Sequence, residues 1–118
     1  QHVEKDLLPL FRKYGLGTTV WSPLASGILS GKYNHGIPTD SRLAKEAWLV
    51  PDNFMQLVER ARQLEDIANN IGCTLSQLAI AWCLNNQNVS SVITGATKEE
   101  QLIENLAAVN IKRKLTSE

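Results

Sequence analysis

An excess of charge of either sign is missing from this sequence: twelve Lys and Arg balance twelve Asp and Glu over 118 residues. Nothing therefore steers the chain toward nucleic acid or an anionic membrane surface. Long apolar runs are missing too. None approaches the ~20 residues needed to cross a bilayer, and no charged-then-apolar leader pattern opens the chain. Repeats and low-complexity tracts are absent. The two cysteines, Cys73 and Cys83, lie ten positions apart, which is neither a metal nor a redox spacing. They read as reduced, buried thiols of a cytoplasmic protein. His2 and His35 have no ligand cluster around them and read as surface residues, so no metal site is expected. The first residue is Gln1 and not Met, which reads as a start that is processed, truncated or cut from something longer.

What is present is an ordinary share of hydrophobic residues, 43%, enough to bury a core. A first helix is expected from Asp6 to Tyr14, with Asp6 as its cap, Pro9 in its first turn and Gly15 at its end. Thr18 to Trp21 reads as a short buried strand. A long connection from 22 to 53 follows, with short helical turns expected near Ser26–Ser30 and Leu43–Trp48. Its length is usual only for functional or disordered segments. From Phe54 to Ile71 the apolar residues keep helical spacing, and Gly72 closes that helix. Thr74 and Gln77 form a capping-box signature opening a helix from Leu75 to Asn85. That helix is apolar nearly all round, with Trp82 expected in the core. A second strand, Val89–Thr94, leads through Gly95 to a helix expected to run to about Val109, capped by a Thr97–Glu100 box. The tail from Lys112 reads as polar and loosely held.

Strands alternating with helices argue for a parallel α/β sheet. Two such strands leave their outer edges unsatisfied, so the chain reads as a piece of a larger α/β domain whose isolated form folds poorly. Two segments suit an anion. After the strand at Trp21 come the Ser22 hydroxyl, backbone N–H groups beyond Pro23 expected to be free, and Lys32. After Thr94 comes Gly95-Ala96-Thr97 at a helix N-terminus, where free N–H groups and the helix dipole attract phosphate. Each alone also reads as plain structure: a turn with a surface lysine, and a capped helix. Both follow strands, so both fall on one face of a parallel sheet. Asp40 and Arg42 read as a solvated pair. Trp21 reads either as core or as a flat surface for a planar ligand.

Trp21-Ser22-Pro23-Leu24-Ala25, Ser30-Gly31-Lys32-Tyr33, Gly72-Cys73-Thr74-Leu75, Gln77 through Cys83, and Gly95-Ala96-Thr97 with Gln101 and Glu104-Asn105 resemble the aldo-keto reductases. Within them the chain is most similar to the voltage-gated potassium channel β-subunit branch. The resemblance implies the C-terminal portion of a (β/α)8 TIM barrel, with residues 1–118 as one segment of a single barrel domain, strands seven and eight, and a cofactor loop over 22–50. It implies NADPH or NADP+ bound without a Rossmann domain. Trp21 would stack on the nicotinamide. Ser22, Pro23, Leu24, Ala25 and Ser26 would run along the pyrophosphate, and Lys32 would contact phosphate. Arg42 would lie near the adenosine end, and Gly95, Thr97, Gln101, Glu104 and Asn105 would form the pocket for the adenosine and its 2′-phosphate. The family's catalytic Tyr, Asp, Lys and His match no position here, so no catalytic residue is assigned.

The resemblance therefore implies the cofactor-binding part of a reductase of small aldehydes or ketones. The alternative is an accessory subunit that binds NADPH and acts mainly by regulation. It leaves open a potassium channel α subunit as partner, with membrane association through it, and a homo-oligomer.

Overall fold

The parallel pairing expected of the two strands is present in the computed structural model, which describes residues 3–115. β1 (Thr18–Val20) and β2 (Val89–Val92) run side by side, with Thr18 opposite Val89, Thr19 opposite Ser91 and Val20 opposite Val92. Each strand is shorter than its apolar run suggests. Trp21 and Thr94 leave the ladder, although the Ile93 N–H still donates to the Val20 carbonyl at 2.7 Å. Gly17 enters β1 beneath the Ser90 side chain, which occupies the space where a Cβ would stand. Bulk there would push the strands apart.

The first helical segment begins earlier than expected, as a π-helical turn over Val3–Leu7, and continues as α1 (Leu8–Tyr14). Asp6 thus lies inside the helical run and is not its cap. Leu7 precedes α1, with no side-chain cap. Gly15 ends α1 at φ 63°, as its position suggested. Of the apolar side only Phe11 is buried. His2 and residues 116–118 of the tail lie outside the described residues.

α3 (Phe54–Ile71) and α4 (Leu75–Asn85) have the expected bounds and meet at 84°. Gly72 at φ 73° makes the break, and the Thr74–Gln77 capping box starts the second helix. The long connection between β1 and α3 carries α2 (Arg42–Lys45) and 3₁₀ segments at Ala25–Ser30 and Ala47–Leu49. It is a structural layer: Ile28, Tyr33 and Leu43 join Val58, Ala61, Ala68, Leu75 and Leu78 in one core. Among the described residues no single helix is long and apolar enough to cross a membrane.

Three further expectations are corrected. Trp82 is 64% exposed instead of core. Its neighbours Leu78, Ile80 and Ala81 are buried, but a two-stranded sheet is too narrow to cover the remaining side of α4. α5 (Glu99–Ile111) is preceded by Lys98 with no side-chain cap. The Thr97 N–H is taken instead by Gln101 Oε1 at 2.9 Å, so the Thr97–Glu100 box does not form. The start of the tail is held: Lys112–Lys114 is a 3₁₀ turn, and Lys114 Nζ donates to the Ile71 carbonyl at 3.1 Å. That bond satisfies a carbonyl left over at the end of α3.

Candidate functional site

The chain leaving β1 turns through an uncommon backbone. Ser22 (φ 52°), Ala25 (φ 48°) and Ser26 (φ 56°) are left-handed, and Gly27 follows at φ 96°. A non-glycine residue there costs on the order of 1–3 kcal/mol and persists only when its surroundings hold it, which concentrates such residues at functional sites. The holding bonds are present. The Ala25 N–H donates to Ser22 O (3.0 Å), the Gly27 N–H to Leu24 O (2.9 Å), and the Ser30 hydroxyl to Gly27 O (2.7 Å). The N–H groups of Ala25 and Gly27 are therefore consumed by the tight turns, contrary to the expectation that the amides beyond Pro23 stay free.

Tyr33 anchors this turn from below. It is 2% exposed, lies edge-to-face with Phe54 at 5.8 Å, and donates its hydroxyl hydrogen to the Ser26 carbonyl at 3.1 Å. Lys32 folds back over the turn. A Cβ on Gly27 would stand 2.5 Å from Lys32 Cε and 2.8 Å from Nζ, and Nζ is 5.1 Å from the Tyr33 ring centroid. A cation thus sits beside the left-handed Ser26–Gly27 peptide. α3 steadies the same loop, because Asn34 Nδ2 donates to Glu65 Oε1 at 2.7 Å. The sequence offered no signal for Glu65, which reads as one charge among several on the wet side of a helix.

Arg42 opens α2, whose first turn is capped by Ser41, and α2 packs on the Ala25–Ser30 segment. Its ion pair is with Glu46 at 3.5 Å, one turn along, and not with Asp40. Exposed pairs of this kind hold weakly, so the guanidinium is free to turn to an anion. Trp21, at the end of β1, is 77% exposed, which removes the core reading of that ring.

The second segment follows β2. Gly95 and Thr97 are exposed, and Gln101 Oε1 accepts from both the N–H and the hydroxyl of Thr97. Glu104 accepts from the Thr74 hydroxyl through Oε1 at 2.6 Å, and its backbone carbonyl accepts from Gln77 Nε2 at 3.2 Å. Asn105 is 6% exposed, on the side of α5 that packs against α4. Because β1 and β2 are parallel neighbours, Trp21–Ser26 and Gly95–Thr97 leave the sheet at the same end. No hydrogen bond or ion pair among the described residues joins the two segments. Together they form the rim of the sheet at the carboxyl ends of its two strands.

Neither cysteine lies in the two segments that leave the strands, but Cys73 lines a shallow hollow with Ser30, Glu65 and Thr74. Burial pushes the Cys83 thiol up from its ordinary range, and does the same for Cys73, where Lys114 pulls partly back. Among the described residues no three His, Cys, Asp or Glu side chains gather as a metal ion would need.

A model described as the Aldo/keto reductase family matches residues 1–118. Two plant proteins, each named a probable voltage-gated potassium channel subunit beta, are similar to the chain. The one from Oryza sativa subsp. japonica is 52% identical over 98% of this chain and 37% of its own length. The one from Arabidopsis thaliana is 52% identical over 97% and 36%. A putative voltage-gated potassium channel subunit beta from Schizosaccharomyces pombe is 53% identical over 99% and 36%. The chain thus spans little more than a third of the length of these relatives. Its backbone also resembles a solved glycerol dehydrogenase from Gluconobacter oxydans, with a TM-score of 0.60 at 21% identity over 97% of this chain and 39% of that one. At that identity the likeness speaks to the fold alone.

Proposed function

The chain belongs to the aldo/keto reductase family, and from that premise we propose that residues 1–118 are the NADPH-clamping C-terminal segment of a (β/α)8 oxidoreductase barrel. β1 and β2 are its seventh and eighth strands, and 22–50 is the cofactor loop. One observation carries the reading. The left-handed turn Ser22–Gly27, with Lys32 folded beside it, leaves the same end of the sheet as the Gly95–Thr97 segment. A strained, anchored backbone with a cation against it suits phosphate, and parallel strand ends are where such folds bind ligands.

The residues present fit the cofactor. Trp21 offers an open indole face to the nicotinamide. Ser22, Pro23, Leu24, Ala25 and Ser26 line the pyrophosphate path with small side chains. Lys32 and Arg42 supply the charge that phosphate needs. Gly95, Thr97, Gln101 and Glu104 border the adenosine, backed by the buried Asn105. Bound there, NADPH supplies a hydride to the carbonyl carbon of a small aldehyde or ketone. None of these residues donates the proton to the carbonyl oxygen; that role falls to residues beyond them in the intact protein.

A second reading rests on the names of the relatives at 52–53% identity. In it the same site serves a cytoplasmic accessory subunit of a voltage-gated potassium channel, assembled with the channel's α subunit and with its own copies. Both readings need the nucleotide. Titration of the intact protein with NADPH tests this, and Lys32→Met is expected to weaken binding by about 1–3 kcal/mol. Equal affinity of wild type and variant would remove Lys32 from the site. No binding by either would end the proposal.

A further inference from the structure

One carboxylate, that of Glu65, reaches both ends of the turn that carries Lys32. The Asn34 N–H donates to the Gly31 carbonyl at 3.1 Å, so Gly31–Asn34 is a tight turn with Lys32 and Tyr33 at its centre. Glu65 Oε1 approaches that turn from α3. It accepts from Asn34 Nδ2 at 2.7 Å, and a Cβ on Gly31 would stand 2.5 Å from it. A carboxylate beside the residue that precedes a lysine is a natural ion partner for that lysine, whose flexible stem spans such a gap. Yet Lys32 makes no ion pair among the described residues. Its Nζ lies instead 5.1 Å from the Tyr33 ring centroid and beside Gly27.

The Asn34 amide competes with Lys32 for this carboxylate and wins. Its Nδ2 donates to Glu65, while its own Oδ1 is buried and without a partner among the described residues. A buried acceptor left unpaired costs stability, so the amide is placed for what its donor does. We propose that Asn34 is a positioning residue for Lys32: by anchoring the Glu65 carboxylate against Gly31, it keeps the ammonium unpaired and available to a phosphate of the nucleotide. The proposal rests on the reading of the rim as an NADPH site. Released from Asn34, the carboxylate would pair with Lys32, draw it away from Gly27 and cancel the charge that phosphate needs. The two partners of one hydrogen bond thereby acquire opposite effects. Loss of Asn34 weakens nucleotide binding, and loss of the Glu65 charge does not. A bond that merely braced the loop would give both partners the same effect.

NADPH titration of the intact protein at low and high salt tests this. Asn34→Ala is expected to weaken binding by about two- to fivefold at low salt, the size of one partly exposed ion pair. The ratio to wild type should shrink at high salt, which screens the new pair. Glu65→Gln still accepts from Asn34 and is expected to bind at least as tightly as wild type. The double variant Asn34→Ala/Glu65→Gln is expected to recover wild-type affinity, because no carboxylate is left to take Lys32. In a Lys32→Met background, Asn34→Ala should cause no further loss. Asn34→Ser, a residue favoured in turns, repeats the comparison if Asn34→Ala does not fold. A double variant as weak as Asn34→Ala overturns the inference and leaves a simple brace, with the NADPH reading intact. An Asn34 variant that binds like wild type, or one that weakens the Lys32→Met protein as much as the wild type, does the same. A wild type that does not bind NADPH overturns both.

Discussion

The buried hydroxyl of Tyr33 donates to the carbonyl of the left-handed Ser26 at 3.1 Å, across seven residues of chain. One side chain therefore joins the core to the rim. Its ring packs with Phe54 and lies beneath Lys32, and its polar end fixes the turn that Lys32 overlies.

Tyr33→Phe should keep the ring packing and lose that bond. The expected cost is about 1 kcal/mol of stability, with the Ser26 carbonyl left without its donor. A loosened turn should also weaken NADPH by about two- to tenfold. Urea unfolding and nucleotide titration of the intact protein check both. Unchanged affinity would mean that the turn holds itself without Tyr33.

Gly27→Ala and Gly15→Ala separate backbone strain from displacement of the lysine. Both glycines have positive φ, 96° and 63°, so each substitution is expected to cost about 1–2 kcal/mol. Only at Gly27 would the new methyl meet Lys32, since nothing lies within 4 Å of a Cβ at Gly15. NADPH affinity should therefore drop in Gly27→Ala and stay near wild type in Gly15→Ala. Equal effects on affinity would contradict the arrangement of Lys32 over Gly27.

The thiol of Cys83 is harder to ionise in the folded chain than its ordinary 9.0, because burial penalises the thiolate. A group whose folded value is raised contributes stability that is full below the unfolded value and lost as pH climbs through the folded one. The stability difference between wild type and Cys83→Ala should shift against wild type as pH rises above 9.0. Denaturant curves of both proteins across that range measure it. A difference independent of pH would show the thiol to be as free as in the unfolded chain.

A polypeptide of these 118 residues alone should fold poorly. Trp21, Trp48 and Trp82 are 77%, 79% and 64% exposed, Ile103 and Leu106 are open on α5, and among the described residues β1 and β2 pair only with each other. Exposed apolar area and bare strand edges favour association. The expected result is dye binding, self-association and a broad melt. A sharp, cooperative melt of a monomer would refute it.

Much of the local structure was legible in advance. Gly15 and Gly72 were readable as helix ends because the left-handed C-cap strongly favours glycine. Thr74 and Gln77 announced α4 because a capping box is complete within four residues. The apolar spacing of α3 carried its length. The failures share one cause. Thr97 and Glu100 have the spacing of a cap, but Gln101 competes for the same N–H and takes it. Trp82 sits in an apolar run, and whether such a residue is covered depends on elements distant in the chain. At the candidate site, the run from Trp21 to Lys32 was readable as a turn with a cation, whereas the folding of that cation over Gly27 was not.

By itself the sequence determined the bounds of α3 and α4, the glycine that ends α1, and the presence of two strands. These are decided by backbone sterics and hydrogen bonds spanning a few residues. Tertiary structure alone decided that Thr18 bonds Asn88 across 70 positions, that Tyr33 reaches Ser26, and that Glu104 answers to the cap of α4. Such contacts depend on how the elements pack, and the competition among distant donors and acceptors is resolved only once the chain has closed on itself.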